Sequence, residues 1–415
     1  MIFTKISDLP VNLVEEILSK VPLKSMRAVR LTCKRWEALW KSRSFSKMHI
    51  DKIRSGESLM IAKMDYHLYL MRIVVNEDPI IECQGRLTCK DKQTKISQVF
   101  HCDGLLLCFL KDDVTKYIVW NPYLGQTRSI ESPYSHRRPD RCPAAGWNWF
   151  TYGWKNWFTY ALGYEDKGST CRGYKLLRFI DKIFDTPRDQ FSCYKIYDLD
   201  SSTWKTLDIT PNSPRILPSH RGGVSLKGNT YWLASQRNAG QYVLDDHIIC
   251  FDFTSESFGP LPFYAGANDD VTLSCVREDK LALSLSRINE ASQLEFEIWV
   301  STKIEAEKVS WTKFLTVETE MELHPLFNCG SFFIDEEKKV AMSYSKAFNI
   351  VGEDGYLKKL KFGERLGIDR NCGVMPLSYV PSLVHIKQPA VGGKRKQHKD
   401  LEAQGYDKKE KKEDD

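Results

Sequence analysis

Cysteine and histidine are the side chains in this chain with the most obvious capacity for metal chemistry. His101 lies among four cysteines whose spacings are wider than the two to four residues typical of a structural zinc site: Cys83, Cys89, Cys102 and Cys108. A cysteine within an apolar run such as 104–110 more often behaves as a small buried hydrophobic residue. We therefore expect neither a metal nor a cofactor here, and stoichiometric zinc in the purified protein would contradict that expectation.

Catalytic motifs are the second possibility that the sequence allows us to test. The chain contains no Gly-rich phosphate loop, no His-Glu-x-x-His and no Gly-x-Ser-x-Gly. We predict no catalytic residues and no enzymatic activity.

An aromatic segment suggests binding rather than catalysis. The pentapeptide Asn-Trp-Phe-Thr-Tyr occurs twice within residues 147–160, directly after a segment rich in proline and arginine. Trp, Tyr and Arg dominate the binding energy of many protein interfaces, so Trp147, Trp149 and Trp154 are candidates for recognising a target. The alternative is that both copies are strands packed in a core.

The composition is that of a soluble globular protein, with 415 residues, 27% of them charged and 42% hydrophobic. Residues 1–50 hold ten Lys/Arg and four Asp/Glu, so they account for the whole net charge of +6 and mark a boundary near residue 50. Residues 1–8 lack the apolar core of a signal peptide, and the longest apolar run, 105–110, is too short to span a membrane. We expect no membrane association, reduced thiols, and a location in the cytoplasm or nucleus.

The first fifty residues predict three short helices. Asp8 caps the first helix and Pro10 lies in its first turn, and the helix then runs to Pro22 with an apolar stripe at Leu13, Val14, Ile17, Leu18 and Val21. Between residues 9 and 40, 17 of 32 residues are apolar, above the roughly three in seven that one core-facing helix stripe requires. The surplus predicts a surface that a partner protein covers, since a module of this size is at the edge of independent stability.

The segment LPVNLVEEILSKVPLKSMRAVRLTCKRWEALW resembles an F-box over residues 4–46, through its Leu-Pro start, its second proline and its Cys-Lys-x-Trp end. The resemblance implies that ten residues contact a Skp-type adaptor or support that contact: Leu9, Pro10, Leu13, Ile17, Leu18, Pro22, Leu23, Val29, Cys33 and Trp36. Asn12 and Thr32 depart from the family pattern, but neither lies on the main apolar stripe.

Two other interpretations of these fifty residues remain open. The helices could be a cap that packs only on the rest of the chain. Alternatively they could form a nucleic-acid-binding unit whose basic stripe, including Lys34 and Arg35, faces phosphates; the lack of Asn or Gln base readers nearby makes this the less favoured alternative.

After residue 50 the apolar period changes to two, in short runs bounded by turn residues. Hairpins are predicted to begin near Tyr117, Tyr194, Ile248, Phe296 and Ala347, at steps of 77, 54, 48 and 51 residues. Steps near 50 are typical of propeller blades. We predict an all-β propeller of six or seven blades over 51–388, in which the long first step holds an insertion or a degenerate blade.

The same region resembles the plant F-box-associated (type 1) domain, a kelch-like family. The resemblance rests on Phe-His-Cys-Asp-Gly-Leu-Leu-Leu-Cys at 100–108, Val-Trp-Asn-Pro at 119–122, Tyr-Ala-Leu-Gly-Tyr at 160–164, and Lys-Ile-Tyr at 195–197 leading to Trp204-Lys205. Together with the F-box it implies a substrate-recognition subunit of an SCF-type ubiquitin ligase, which binds a Skp-type adaptor, through it a cullin, and an unknown protein target.

The last residues, 389–415, form a third region. From residue 388 onward there are eight Lys/Arg and seven Asp/Glu with few apolar residues, a composition that cannot form a core. We predict a disordered charged tail.

Overall fold

A computed structural model describes most of the chain between residues 58 and 389 and part of the segment before it. The described residues are 9–21, single positions and short stretches between 29 and 51, 58–91, 93–132, 159–168, 172–181, 192–209, 215–216, 223–235, 247–261, 263, 270–277, 279–288, 294–304, 309–319, 332–344, 347–360 and 375–389.

One helix, α1 (Val11–Ser19), is described in full near the amino terminus. Pro10 is its N-cap residue and not part of its first turn; the Pro10 carbonyl accepts hydrogen bonds from the Leu13 and Val14 N–H groups at 3.1 Å. The predicted cap, Asp8, lies outside the described residues. The helix ends at Ser19, before Pro22. The N–H groups of Lys20 and Val21 donate to carbonyl oxygens three residues back, and these bonds tighten the last turn. Helical positions recur between 29 and 51.

The rest of the described chain is almost entirely antiparallel sheet, in six separate sheets that we number as blades 1 to 6. Blade 1 contains β1 (Ser58–Met64), β2 (His67–Val74), β3 (Ile80–Leu87) and the last strand, β25 (Met375–Ser378). Blade 2 contains β4 (Ile96–Cys102), β5 (Leu105–Leu110), β6 (Lys116–Asn121) and β7 (Gln126–Glu131). Blade 3 contains β8 (Thr159–Asp166), β9 (Arg172–Asp181), β10 (Ser192–Asp198) and β11 (Thr203–Leu207).

The other three blades follow in chain order. Blade 4 contains β12 (Arg215–Ile216), β13 (Val224–Leu226), β14 (Asn229–Ser235), β15 (His247–Asp252) and β16 (Ser257–Leu261), with β12 and β13 both paired to β14. Blade 5 contains β17 (Asp270–Val276), β18 (Lys280–Ile288), β19 (Leu294–Ile304) and β20 (Val309–Thr319). Blade 6 contains β21 (Phe332–Asp335), β22 (Val340–Tyr344), β23 (Phe348–Gly352), a short 3-10 helix (Glu353–Gly355) and β24 (Leu357–Leu360).

The predicted hairpin repeat corresponds to the second-last strand of each of blades 2 to 6. The five repeat positions fall in or directly beside β6, β10, β15, β19 and β23. Among the described residues, the long first step holds no more strands than the shorter steps, and its extra length lies mainly between β7 and β8. The described chain therefore forms six blades, the lower of the two numbers predicted, with an insertion in the long step.

The six blades close into a ring. Six hydrophobic clusters of buried residues each join one blade to the next, from blades 1 and 2 round to blades 6 and 1. The carboxyl-terminal strand β25 pairs antiparallel with β1, Ile61 lying opposite Leu377. The end of the propeller thus completes its first blade, and closure of this kind protects sheet edges.

The antiparallel order divides the connections between two faces of the ring. The turns β4–β5 and β6–β7 lie on one face, which we call the lower face, and the turns β1–β2 and β5–β6 lie on the other, the upper face. Helix α1 packs against the β6–β7 turn and so lies at the lower face. Within the described residues, no helix is long and apolar enough to cross a membrane.

Candidate interaction surface of the N-terminal helix

One side of α1 is buried against the propeller. Val14 and Leu18 are each 2% exposed and belong to a cluster with Phe45 and Ile50. Tyr123 and Leu124, from the β6–β7 turn, complete that cluster. This side of the apolar stripe is therefore satisfied within the chain.

A buried histidine connects the helical module to the same turn. The side chain of His49 is 1% exposed; its Nε2 lies 3.1 Å from the Val21 carbonyl oxygen and its Nδ1 lies 3.0 Å from the Tyr123 hydroxyl. Because a carbonyl oxygen only accepts, Nε2 carries the proton, and in the neutral ring Nδ1 accepts from the tyrosine hydroxyl. The histidine thus fixes the end of α1 to the propeller by two directional bonds.

A different side of α1 presents apolar side chains to solvent. Leu13 is 42% exposed and Ile17 43%, and Pro10 is exposed beside them. We call Pro10, Leu13 and Ile17 the exposed row. Val11, 54% exposed, lies at the other edge of the buried side, where a shallow apolar pocket of about 210 Å³ is lined by Val11, Val14, Trp36 and Leu39.

The ten residues that the F-box resemblance marked fall into three groups. Pro10, Leu13 and Ile17 lie in the exposed row. Four others pack toward the cluster beneath α1, with Leu18 fully buried and Leu9, Val29 and Trp36 partly buried. Pro22, Leu23 and Cys33 lie outside the described residues. Val11 was missed by the sequence analysis, although its positions three and seven residues before Val14 and Leu18 could have placed it on that stripe.

The propeller turn that carries α1 is itself held by the carboxyl-terminal segment. Residues 379–388, which we call the C-terminal strap, follow β25 across the lower face. Asn121 is fully buried; its side-chain amide donates to the carbonyl oxygens of Ser382 (3.1 Å) and Val384 (2.8 Å), and its Oδ1 accepts from the Leu124 N–H at 3.0 Å. One side chain therefore fixes both the strap and the turn on which α1 rests, and Leu383 of the strap packs against the same cluster.

The Asp103-Gly104 turn holds the strap at a second point. The Ser382 hydroxyl donates to the Asp103 carbonyl oxygen at 2.6 Å. Gly104 has a φ of +72°, and a Cβ at this position would lie 2.4 Å from the Ser382 Oγ. Only glycine therefore fits both the left-handed backbone and the close approach of the strap.

Arg128 holds the strap at its far end. Its guanidinium is 2% exposed and donates to the Lys387 carbonyl oxygen at 2.7 Å and to the Ser202 hydroxyl at 2.9 Å. The Lys387 ammonium lies 3.0 Å from the Asp200 carboxylate of blade 3. The strap therefore ties blades 1, 2 and 3 together on the lower face.

The cysteine and histidine candidates do not come together in one place. Cys83, Cys102 and the pair Cys89 and Cys108 belong to three different hydrophobic clusters. Burial lowers the pKa of His101 to about 3, so the ring is neutral and its Nε2 accepts the Gly104 N–H at 3.1 Å. In the described part of the chain, no group of three or more His, Cys, Asp or Glu is arranged to hold a metal ion.

The aromatic target candidates Trp147, Trp149 and Trp154 lie outside the described residues, as does the tail from residue 390 onward. The flanking strand ends are described: β7 ends and β8 begins at the upper face, opposite α1. The Ser132 N–H, just after β7, donates to the Thr115 carbonyl oxygen at 2.8 Å. The segment that leads to these tryptophans thus begins beside the β5–β6 turn.

A helical module seated beneath a six-bladed propeller defines a class of protein with two interaction domains. Models of two families match the chain: the F-box domain over residues 6–48 and the F-box associated beta propeller domain over residues 59–386. The chain belongs to the family of F-box proteins that carry this propeller.

Relatives from Arabidopsis thaliana agree with this assignment. F-box protein At2g38590 is 48% identical and F-box/kelch-repeat protein At4g33290 is 49% identical, each aligned over 97% of this chain and over 96% and 94% of its own length. A protein named peroxiredoxin-2A, also from Arabidopsis thaliana, is 45% identical over 96% of this chain and 72% of its own length. Among solved structures, a tricorn protease covers 75% of this chain and 30% of its own length with a TM-score of 0.29 and 8% identity, which adds nothing to the assignment.

Proposed function

We propose that this protein is the substrate-recognition subunit of an SCF-type ubiquitin ligase, in which the exposed row of α1 binds a Skp-type adaptor and the propeller binds a target protein. The observation that carries the proposal is the division of α1 into two sides. Val14 and Leu18 are buried on the propeller, whereas Leu13 and Ile17 stay more than 40% exposed. Exposed apolar side chains in a row are typical of a surface that a partner covers.

The seat of α1 gives the proposed complex a fixed geometry. Because the helix packs on the β6–β7 turn, adaptor and cullin would approach the lower face, and the upper face would remain free for the target. The strand ends that flank Trp147, Trp149 and Trp154 lie at that upper face, which supports the hypothesis that these side chains help to bind the target. We propose that the complex acts in the cytoplasm or nucleus.

A non-enzymatic role is part of the proposal. A peroxidatic or redox-active cysteine requires a lowered pKa. Here burial raises the pKa of Cys250 to about 12, and a hydrogen bond with Cys89 together with burial raises the pKa of Cys108. Both thiols are protonated at neutral pH, so neither of these two cysteines is suited to thiol chemistry, in keeping with the proposed binding function.

Ile17→Asp tests the adaptor surface. A charge in the exposed row would be desolvated when the adaptor binds, so we expect affinity for a Skp-type adaptor to fall at least tenfold, about 1.4 kcal/mol or more. Asn12→Asp is the matched control, because it places the same charge on an exposed position of α1 outside the row. The measurement is calorimetric titration of the full-length chain with purified adaptor.

Two outcomes would reject the assignment of the surface. One is an unchanged affinity of the Ile17→Asp variant; the other is an equal loss in the Asn12→Asp control. Retention on nucleic acid that falls steeply with salt and weakens when Lys34 and Arg35 are neutralised would favour the alternative function.

A further inference from the structure

The β1–β2 turn on the upper face has an unusual residue in its second position. Strand pairing ends at Met64 opposite His67, which leaves a two-residue turn, Asp65-Tyr66, with φ values of 44° and 60°. Two-residue turns of this left-handed type favour glycine at the second position. The β4–β5 turn has Asp103-Gly104 and the β13–β14 turn has Lys227-Gly228, both with positive φ at both residues.

Tyr66 therefore occupies a conformation that destabilises the fold by roughly 1 kcal/mol compared with glycine. A residue that is unfavourable for its backbone conformation is often retained because its side chain has a function. The Tyr66 carbonyl oxygen accepts the Ile96 N–H at 2.7 Å, which fixes the turn against the start of blade 2.

Two ammonium groups converge on the Tyr66 ring. The Lys111 Nζ lies 3.7 Å from the ring centroid and the Lys63 Nζ lies 5.8 Å from it. Lys63 makes no ion pair with any residue that the structure describes, and burial lowers the pKa of its ammonium below the ordinary value. An anion bound at this place would offset the cost of burying that charge.

Two further cations lie beside His67, the residue that directly follows the turn. Arg86 donates from Nη2 to the His67 Nδ1 at 2.8 Å. The pKa of the His67 imidazole is lowered mainly by burial and by Arg86, and to a smaller extent by Lys95. Two exposed carboxylates, Asp65 and Asp112, lie beside these cations in the sequence, and Asp113 is paired with Lys116 at 2.6 Å.

The small extent of this surface favours a peptide over a nucleic acid. Four cations gathered at one turn and flanked by two carboxylates do not form the long basic track that a phosphate backbone requires. An acidic peptide needs only a few carboxylates in reach of the two lysines and a ring to pack against.

We propose that Tyr66, Lys63 and Lys111 form an anion-binding surface on the upper face that takes a segment rich in Asp and Glu from a protein target. The cellular role of this surface rests on the proposed function. The surface adds to that function the chemistry of the target segment and the blade that binds it. The surface lies across the ring from α1, and the chain leading to Trp147, Trp149 and Trp154 begins beside the turn that carries Lys111.

The test is fluorescence anisotropy of the full-length chain with a labelled ten-residue peptide of Glu and Asp, compared with the same peptide in Gln and Asn. We expect binding of the acidic peptide only, and a loss of at least tenfold in affinity when Lys63→Gln and Lys111→Gln are combined. The matched control combines Lys303→Gln and Lys359→Gln, which removes the same charge from blades 5 and 6; we expect less than a twofold change.

Tyr66→Gly separates binding from folding. Glycine suits the turn better, so this variant should melt at the same or a higher temperature than the parent chain, yet bind the acidic peptide several-fold more weakly. Three results would overturn the inference: no binding by the parent chain, equal losses in the two lysine pairs, or tighter binding of single-stranded RNA of matched charge.

Adaptor titration of the same variants keeps the two proposals apart. Peptide binding without adaptor binding would reject the proposed ligase function and leave the anion-binding surface standing. Adaptor binding without peptide binding would reject the surface alone.

Discussion

At the scale of single residues, the stability of the lower face depends on Gly104, where the β4–β5 turn contacts the C-terminal strap. Gly104→Ala places a Cβ 2.4 Å from the Ser382 Oγ and 2.7 Å from its backbone nitrogen, at a φ of +72°. We expect the free energy of unfolding to fall by about 3 kcal/mol, since steric overlap adds to the backbone strain. Urea denaturation of the full-length chain measures it.

Gly125→Ala is the matched control for this prediction. Gly125 has a similar φ, +67°, but no heavy atom lies within 4 Å of an added Cβ. It should therefore show the backbone strain alone, roughly 1 kcal/mol. Equal losses at the two positions would mean that the contact with Ser382 contributes nothing.

At the scale of elements, the strap links ring closure to the seat of α1. Asn121→Ala removes the side chain that bonds to Ser382, Val384 and Leu124, and it leaves buried backbone groups unpaired. We expect a loss of about 3 kcal/mol in the free energy of unfolding and faster tryptic cleavage after Lys387, which mass spectrometry of a timed digest would show.

Gln126→Ala is a suitable comparison, because Gln126 also bonds to the strap, through its Oε1 to the Ile386 N–H at 3.0 Å, but is more exposed than Asn121. The Gln126→Ala variant should lose less than half as much free energy of unfolding as the Asn121→Ala variant. If cleavage after Lys387 is no faster in the Asn121 variant than in the Gln126 variant, the strap is not held in the way we describe.

The elements differ in how far the sequence could predict them. The hairpins near Tyr117, Tyr194, Ile248 and Phe296 were predictable, because two-residue alternation and turn residues are local signals. The division of α1 was not, because Val14 and Leu18 are buried by Tyr123 and Leu124, more than a hundred residues away. The strap was not predictable as an element either, since its bonds run to side chains about 260 residues distant and leave no periodic pattern.

The basic surface around Tyr66 shows the same limit. Lys63, Tyr66 and Lys111 carry no motif in the sequence, and they meet only because blade 1 and blade 2 are neighbours in the ring. A positive φ at a tyrosine is likewise a property of the folded backbone. Local pattern thus identified the two domains, whereas long-range contacts determine which surfaces those domains expose.

At the scale of the whole molecule, ion pairs across blade boundaries make stability depend on pH. The Lys175 ammonium, 6% exposed, lies 2.7 Å from a carboxylate oxygen of Glu165 in its own blade and 2.8 Å from one of Glu256 in blade 4. Burial raises the pKa of each glutamate, but the hydrogen bonds to Lys175 and to a second lysine outweigh it, so both pKa values lie below the ordinary 4.5. This contribution to stability is present above about pH 4.5 and is lost as the pH falls through the lower, folded-state values.

Lys175→Met tests whether the ion pairs of Lys175 with Glu165 and Glu256 join blades 3 and 4. At pH 7 the variant leaves two partly buried carboxylates without their shared cation, and we expect it to lose about 3 kcal/mol. Below pH 4.5 the deficit should shrink, because the two glutamates then take up protons more readily than in the parent chain. Lys205→Met, which removes a 67% exposed partner of Glu256, should cost less than about 1 kcal/mol at any pH. Urea denaturation at pH 7, 5 and 4 measures each curve, and a deficit that stays constant with pH would show that Lys175 stabilises the blade boundary by packing and not by its charge.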